Sequence, residues 1–134
     1  MTIQQKIDQF LSASCFAVAG ASTNRDKYGN KCLRCYQQNQ RKVIPINPRA
    51  TEIEGIPCVG TVRDLPSDCT SLSVITPPKI TEQVVQDALA AGVKNIWMQP
   101  GAQSAQAVEF CEENGINVIA DGSCLLVVLH YHEH

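Results

Sequence analysis

Short apolar runs alternate with amphipathic stretches along this chain, and that alternation restricts its possible folds more than any other feature. The apolar runs predict strands at Cys15–Ala19, Val43–Ile46, Leu72–Ile75, Asn95–Met98 and Ile116–Ala120. Helical spacing, capping residues and missing breakers predict helices over 2–12 and 31–41, between Thr81 and Gly92, and between Ser104 and Gly115. Strands and helices in this order form βαβ units, so we predict an α/β fold with a mostly parallel sheet and helices on both faces.

Three shorter segments complete this division of the chain. Residues 52–60 carry one or two short extended pieces, and 63–65 form a single helical turn. Leu125–Leu129 is apolar and fits either a strand or a helix. No linker or repeat divides the 134 residues, and this length is typical of one domain, so we expect a single domain over 1–134.

Composition excludes several classes of function. The net charge is -2 and only 5% of the residues are aromatic, which argues against a protein that binds nucleic acid by charge or stacking. No apolar run is long enough to cross a membrane, and the first residues lack the features of a secretory signal. The seven scattered cysteines fit reduced thiols better than a disulfide framework, so we expect a cytoplasmic protein.

The loops that leave the strands are the places to look for a ligand site. Ligands of open parallel sheets bind outside the carboxyl ends of the strands, where the strand order reverses. These loops begin with Gly20-Ala21-Ser22, Asn47-Pro48-Arg49, Thr76-Pro77-Pro78 and Gln99-Pro100-Gly101. We expect the reversal to bring the loop after the first strand beside the loop after Ile75.

The loop after the first strand has the composition of a phosphate site. Gly20 lets the backbone approach a ligand, and Ser22 and the amides at the start of the next helix are donors for an anion. Arg25, Lys27 and Lys31 add positive charge nearby. An ordinary strand-to-helix turn with solvated cations is the alternative interpretation.

The same loop lacks the dinucleotide fingerprint. Ser22 and Arg25 occupy the positions of the second and third glycines, and Asn47-Pro48-Arg49 follows the second strand where an acidic residue would hold the ribose of NAD. Arg49 suits a phosphate on the ribose, because a guanidinium contacts two oxygens at once. A phosphorylated adenosine, such as NADP or coenzyme A (CoA), therefore fits better than NAD.

The other two loops are less specific. Pro77 and Pro78 form a stiff apolar wall on which a base can pack, with Lys79 near the phosphates, although a plain strand terminator has the same composition. Gln99 carries a side-chain amide to the end of its strand.

A family resemblance rests on these segments taken together. The matching pieces are Val18-Ala19-Gly20-Ala21-Ser22, Lys27-Tyr28-Gly29, Ile44-Pro45-Ile46-Asn47-Pro48, Glu52-Ile53-Glu54-Gly55, Thr76-Pro77-Pro78, Ile96-Trp97-Met98-Gln99-Pro100-Gly101 and Ala120-Asp121-Gly122-Ser123-Cys124. In this order they resemble the small stand-alone CoA-binding proteins, which are similar to the N-terminal domain of succinyl-CoA synthetase alpha subunits.

The resemblance implies a Rossmann-like three-layer sandwich with CoA lying across the loops. Gly20 to Ser22 would hold the diphosphate, and 47–49 would lie near the adenosine and its 3′-phosphate. Thr76 to Pro78 would pack against the adenine and ribose, and Gln99 and Gly101 would face the pantetheine. Such proteins often have Asp-Arg-Cys where this chain has Asp121-Gly122-Ser123-Cys124, so a role for that basic residue does not transfer.

Catalytic and metal chemistry find little support. Cys32 and Cys35 lie three residues apart in a predicted helix, without a second ligand pair, and are expected to be core or surface thiols. His130, His132 and His134 have the alternation of a metal site, but their terminal position favours a frayed end. No nucleophile can be matched with a base, and we predict neither catalytic residues nor a metal site.

These observations predict a protein that binds CoA or an acyl-CoA and is not catalytic on its own. We expect neither nucleic acid nor membrane as a partner, and the sequence leaves any protein partner open. Two alternatives remain: an NADP-binding oxidoreductase or its remnant, and a thiol-based redox protein that uses Cys32 and Cys35, or Cys124 paired with the CoA thiol.

Overall fold

Strands and helices alternate along residues 1–133, the part of the chain that this computed structural model describes. The helices are Ile3–Leu11 (α1), Tyr28–Gln38 (α2), Pro78–Ala91 (α3), Ala105–Glu113 (α4) and Leu125–Val128 (α5). The strands are Cys15–Ala19 (β1), Val43–Ile46 (β2), Glu52–Ile53 (β3), Ile56–Pro57 (β4), Cys69–Val74 (β5), Asn95–Met98 (β6) and Asn117–Ile119 (β7). A 3₁₀ turn spans Val62–Asp64.

Five of these strands form a parallel sheet in the order β2-β1-β5-β6-β7. β1 lies in the interior of the sheet, where Ala19 is in register with Ile46 on one side and Val74 on the other. The strand order therefore reverses between β1 and β5, and the loops that follow these strands are neighbours, as predicted. β3 and β4 form a separate antiparallel hairpin.

Both faces of the sheet are covered by helices, which explains the continuous apolar runs of its strands. Phe16 and Val18 of β1 pack with α1, α2 and α5, whereas Ala17 and Ala19 pack with α3 and α4. All five residues of β1 are buried. This is the predicted α/β three-layer arrangement, because a strand between two helical layers has no solvent-facing side.

The N-caps of α1 and α4 agree with the sequence. Thr2 Oγ1 accepts a hydrogen bond from the backbone N–H of Gln5, and the Gln5 side chain accepts from the N–H of Thr2. Ser104 caps α4 by accepting from the N–H of Ala107. In both cases a short polar side chain satisfies an amide that the first helical turn leaves free.

Two helices begin earlier than the sequence predicts. α2 begins at Tyr28 instead of Lys31, because Gly29 and Asn30 take helical geometry in contact with the loop after β1. α3 begins at Pro78 instead of Thr81, since a proline at the first helical position removes an N–H that has no partner there. The apolar segment Leu125–Leu129 forms a helix, α5, over Leu125–Val128, with Leu129 as its C-cap.

Within residues 1–133, no helix combines the length and apolar character that a membrane span requires.

Candidate functional site

Two glycines bring the start of α2 against the loop that leaves β1. Gly20 has φ +91°, and a Cβ at this position would lie 2.5 Å from the carbonyl oxygen of Ile75. A Cβ on Gly29 would lie 2.0 Å from the carbonyl oxygen of Gly20. Because both neighbours are backbone atoms, neither position accepts a side chain without a shift of the chain. The carboxyl ends of β1 and β5 and the start of α2 therefore lie close together.

A buried polar network fixes the loop from Ser22 to Arg25. Asn30 donates to the carbonyl of Ser22 at 2.8 Å and to Glu54 at 3.1 Å. Arg34 donates from Nε to Asn30 at 2.7 Å and from a terminal nitrogen to the carbonyl of Arg25 at 2.7 Å. Asn30 and Arg34 are both buried, so these hydrogen bonds satisfy polar groups that water cannot reach.

Arg25, which the sequence assigns to a phosphate, forms an ion pair with Glu54. Partial burial opposes ionisation of Glu54, but hydrogen bonds from Asn30 and Arg25 and the charges of Arg25 and Arg34 outweigh it and hold the pKa of Glu54 below its ordinary value. The Arg25 guanidinium therefore joins the loop to the β3–β4 hairpin.

The depressed pKa of Glu54 predicts a loss of stability in acid. A carboxylate with a folded pKa below its unfolded value stabilises the fold above the unfolded value, 4.5, and loses that contribution as the pH falls through the folded value. We expect Glu54→Gln to destabilise the protein at pH 7 and to cost much less at pH 3. Urea unfolding at both pH values measures this, with Glu109→Gln, an exposed change on α4, as the control. An equal cost at the two pH values would contradict the prediction.

Asn47, at the end of β2, ties two loops together. Its side-chain N–H donates to the carbonyl of Ala21 at 3.0 Å, and its Oδ1 accepts from the N–H groups of Arg49 and Ala50. The side-chain groups of Asn47 are therefore already hydrogen-bonded within the protein. We call such a side chain, which holds two segments together by hydrogen bonds, a strut. Arg49 is exposed, and none of the ion pairs within residues 1–133 includes its guanidinium.

The loop after β5 turns directly into α3. Thr76 Oγ1 lies 2.8 Å from Thr81 Oγ1, and the Thr81 hydroxyl also lies within hydrogen-bond distance of the carbonyls of Thr76 and Pro77. Pro77 is the N-cap of α3 and Pro78 its first residue. Both prolines and Lys79 are exposed.

Gln99, at the end of β6, is a second strut. The side chain is only 4% exposed, its Oε1 accepts from the N–H of Leu125 at 2.7 Å, and its Nε2 donates to the sulfur of Cys124 at 3.4 Å. These contacts hold the start of α5. Gly101, with φ +97°, turns the chain away and donates its N–H to Gln103 at 2.7 Å.

A groove made of three adjacent compartments follows the carboxyl edge of the sheet. The first, about 350 Å³, is bounded by the ends of β1 and β2, the 3₁₀ turn and one face of α3. The second, about 590 Å³, lies over the β1–α2 loop, and the third, about 180 Å³, lies between Tyr28 and Cys124. Gly20 and Ala21 line the first and second compartments, and Tyr28 and Ile75 line the second and third. These shared lining residues place the three compartments next to one another along the edge of the sheet, and together they are called the groove.

The structure brings most of the residues predicted for the site into this groove. The predicted residues that line it are Gly20, Ala21, Ser22, Lys27, Tyr28, Asn47, Pro48, Thr76 and Gln99. The predicted residues outside its lining are Arg25, Arg49, Pro77, Pro78, Lys79 and Gly101.

Sequence reasoning missed two parts of the site. Gly60 to Val62 and the α3 residues Ile80 and Val84 form much of the first compartment. Ile80 lies before the helix that the sequence predicts from Thr81, and only the structure shows it as an apolar side chain, 52% exposed, on the surface of α3. The supporting pair Asn30 and Arg34 lies four residues apart on the buried face of α2, but the predicted helix begins only at Lys31, so the sequence does not indicate that the two share a face.

A family model matches most of the chain. The family model described as the CoA binding domain matches residues 14–130, which include every part of the groove. The chain belongs to the CoA binding domain family. The predicted resemblance is thereby confirmed.

Relatives of two sizes are similar to this chain. A conserved hypothetical protein from Pyrococcus furiosus is 40% identical with a TM-score of 0.80, and the match covers 84% of this chain and 97% of that one. A Thermus thermophilus structure is 28% identical with a TM-score of 0.82 and covers 97% of both chains. Acetate--CoA ligase [ADP-forming] I of Archaeoglobus fulgidus is 25% identical over 119 residues, which are 81% of this chain but 17% of the ligase.

The cysteines and histidines outside the groove do not form a metal centre in residues 1–133, where no cluster of three or more ligand-type side chains is found. Cys32 and Cys35 are buried, as expected for core thiols. The segment before His134, which itself lies outside the described residues, packs against α2 instead of fraying. His132 exchanges two hydrogen bonds with the Gln38 side chain, at 2.7 and 2.9 Å.

Proposed function

We propose that this protein binds CoA or an acyl-CoA along the carboxyl edge of its sheet, without catalysing a reaction on its own. The three-compartment groove is the observation that carries this proposal. An apolar cleft, a polar middle and a narrow end follow one another in the order of the base, the phosphates and the thiol arm of CoA. The membership of the CoA binding domain family supports the same ligand.

The first compartment suits the adenosine. Pro48 and Thr76 line it from the loops after β2 and β5, and Ile80 and Val84 provide an apolar wall from α3. A flat base buries apolar area against such a wall, at about 25 cal/mol per Å². Arg49 follows Pro48 directly and is exposed, so its guanidinium is available to a phosphate at the rim.

The second compartment suits the diphosphate. Ser22, Lys27 and the start of α2 surround it, and the first turn of α2 contains no acidic residue. Lys27, the N-cap, makes no side-chain capping hydrogen bond, and 27–29 line the compartment, so the positive end of the helix dipole lies beside it. Asp26 is the one carboxylate among the residues that line this compartment in the described chain.

The third compartment suits the pantetheine. Tyr28, Ile75 and Pro100 form its apolar walls, and Gln99 and Cys124 also line it. Its volume, about 180 Å³, is the smallest of the three and favours an extended chain over a nucleoside. The arm of a CoA molecule whose base occupies the first compartment would run in this direction.

The relation to the larger ligases is limited to this portion. Because the chain spans 17% of the Archaeoglobus ligase, we infer that it corresponds to a ligand-holding part of such enzymes and propose no ligase chemistry for it. The seven free thiols support a reducing compartment, and we propose the cytoplasm.

The 3′-phosphate tests the proposal. We expect calorimetry to show CoA binding about tenfold more tightly than dephospho-CoA, and Arg49→Ala to erase that difference, because one charge-assisted contact contributes about 1.5 kcal/mol. Lys94→Ala is the matched control, since this exposed cation precedes β6 at the opposite edge of the sheet.

Two outcomes would count against the proposal. Equal affinities of the unmodified protein for CoA and dephospho-CoA would remove the role of Arg49. Failure to bind CoA, together with binding of NADPH, would instead favour an NADP-binding protein.

A further inference from the structure

Cys124 lies where the groove ends. It is half-buried, lines the third compartment with Tyr28, Ile75, Gln99 and Pro100, and receives a hydrogen bond from Gln99 Nε2 at 3.4 Å. The thiol is therefore both accessible from the groove and held in position by a buried amide. If the nucleotide of CoA occupies the first two compartments, the thiol arm is directed towards this sulfur.

Two more thiols, those of Cys32 and Cys35, lie on the buried face of α2, the helix that packs against α5. Burial raises the pKa of Cys35 to about 11, with the neighbouring Cys124 adding to the effect, and burial likewise raises the pKa of Cys32. Both cysteines are buried and stay protonated at neutral pH, and protonated thiols are poor nucleophiles. Cys124 is thus the member of this group that the groove exposes.

We propose that Cys124 is the site at which this protein forms a mixed disulfide with CoA. The inference rests on the proposed function, since the groove must first hold the nucleotide. It adds a covalent, reversible state to a binding protein, and a CoA-containing disulfide, either CoA disulfide or a mixed disulfide of CoA, is the co-reactant.

The reaction is a thiol–disulfide exchange. The Cys124 thiolate attacks the CoA sulfur of the disulfide, a bond forms between these two sulfur atoms, and the original S–S bond breaks. The other thiol leaves as a thiolate and takes up a proton, in balance with the proton that Cys124 lost. No net oxidation occurs, and reduced CoA alone forms no adduct.

Binding should accelerate this exchange. A ligand held in the first two compartments presents its sulfur at an effective concentration of the order of millimolar, which a small disulfide in solution does not have. We therefore expect CoA disulfide to modify Cys124 at least tenfold faster than an equal, micromolar concentration of 2-hydroxyethyl disulfide.

Intact-mass spectrometry of the reduced protein with CoA disulfide measures the adduct, and peptide mapping locates it. We expect one CoA per chain on Cys124, none on Cys124→Ser, and an unchanged adduct on Cys58→Ser, which alters the other half-buried cysteine. Adenosine 3′,5′-bisphosphate, which lacks the thiol arm, should slow the modification of the unmodified sequence by competing for the nucleotide compartments.

Calorimetry with reduced CoA separates the two proposals. If CoA binds but Cys124 stays unmodified, or reacts equally fast with 2-hydroxyethyl disulfide, the covalent state is overturned and the binding function stands. Modification that adenosine 3′,5′-bisphosphate does not slow also overturns it. If CoA does not bind, the binding function itself fails.

Discussion

We expect Gly29→Ala to lower the free energy of unfolding by about 2 kcal/mol. The added Cβ would lie 2.0 Å from the carbonyl oxygen of Gly20, a backbone atom that moves only with its strand. Relieving an overlap of this kind costs about 3 kcal/mol, and the better helix propensity of alanine returns about 1 kcal/mol. The substitution is destabilising overall, because the steric cost exceeds the gain in helix propensity.

Urea unfolding of Gly29→Ala and Gly60→Ala measures this effect. Gly60 is the matched control, since its φ lies outside the left-handed region and the nearest atom to an added Cβ is the Asp64 carboxylate at 3.9 Å. We expect Gly60→Ala to leave the unfolding midpoint nearly unchanged. A Gly29→Ala protein as stable as the control would show that the β1–α2 contact is looser than the structure indicates.

We expect Ile80→Glu to weaken CoA binding by about 30- to 100-fold. Ile80 is 52% exposed, so the substitution leaves the core intact, but its side chain lines the compartment proposed for adenosine. Losing the apolar contact costs about 1–1.5 kcal/mol, and a carboxylate near the phosphates of CoA adds about 1 kcal/mol of repulsion. Calorimetry with CoA measures the change in affinity.

Leu89→Glu is the matched control for this substitution. Leu89 lies on the same helix, is 39% exposed, and is absent from the lining of the groove. We expect it to bind CoA like the unmodified protein. Similar affinities for Ile80→Glu and Leu89→Glu would place the base outside the first compartment.

The strands were the most predictable part of the fold. Cys15–Ala19, Val43–Ile46 and Asn95–Met98 match the observed strands residue by residue, because helices cover both faces and nearly all of the side chains are apolar. The start of α2 was not predictable from composition. Gly29 and Asn30 are turn-forming types, and only their contacts with Gly20 and Ser22 make them helical.

The site was predictable where it depends on chain order. The loops after β1, β2 and β5 follow from the βαβ pattern, and Gly20, Pro48 and Thr76 do meet at the predicted edge. The roles of Asn47 and Gln99 did not follow, since a polar side chain at a strand end fits a ligand contact and a strut equally well. The contribution of 60–62 depends on the path of an irregular segment, which short-range patterns do not specify.

The struts at Asn47 and Gln99 also affect the cost of recognition. Because Asn47 holds the turns after β1 and β2, and Gln99 holds the start of α5, these walls acquire their shape when the chain folds. A nucleotide bound as proposed would meet walls that are already in place and would lose little affinity to the ordering of protein segments. Selectivity among nucleotides would then depend on fit to these fixed walls, and the conformational entropy lost on binding would come mainly from the flexible arm of the ligand.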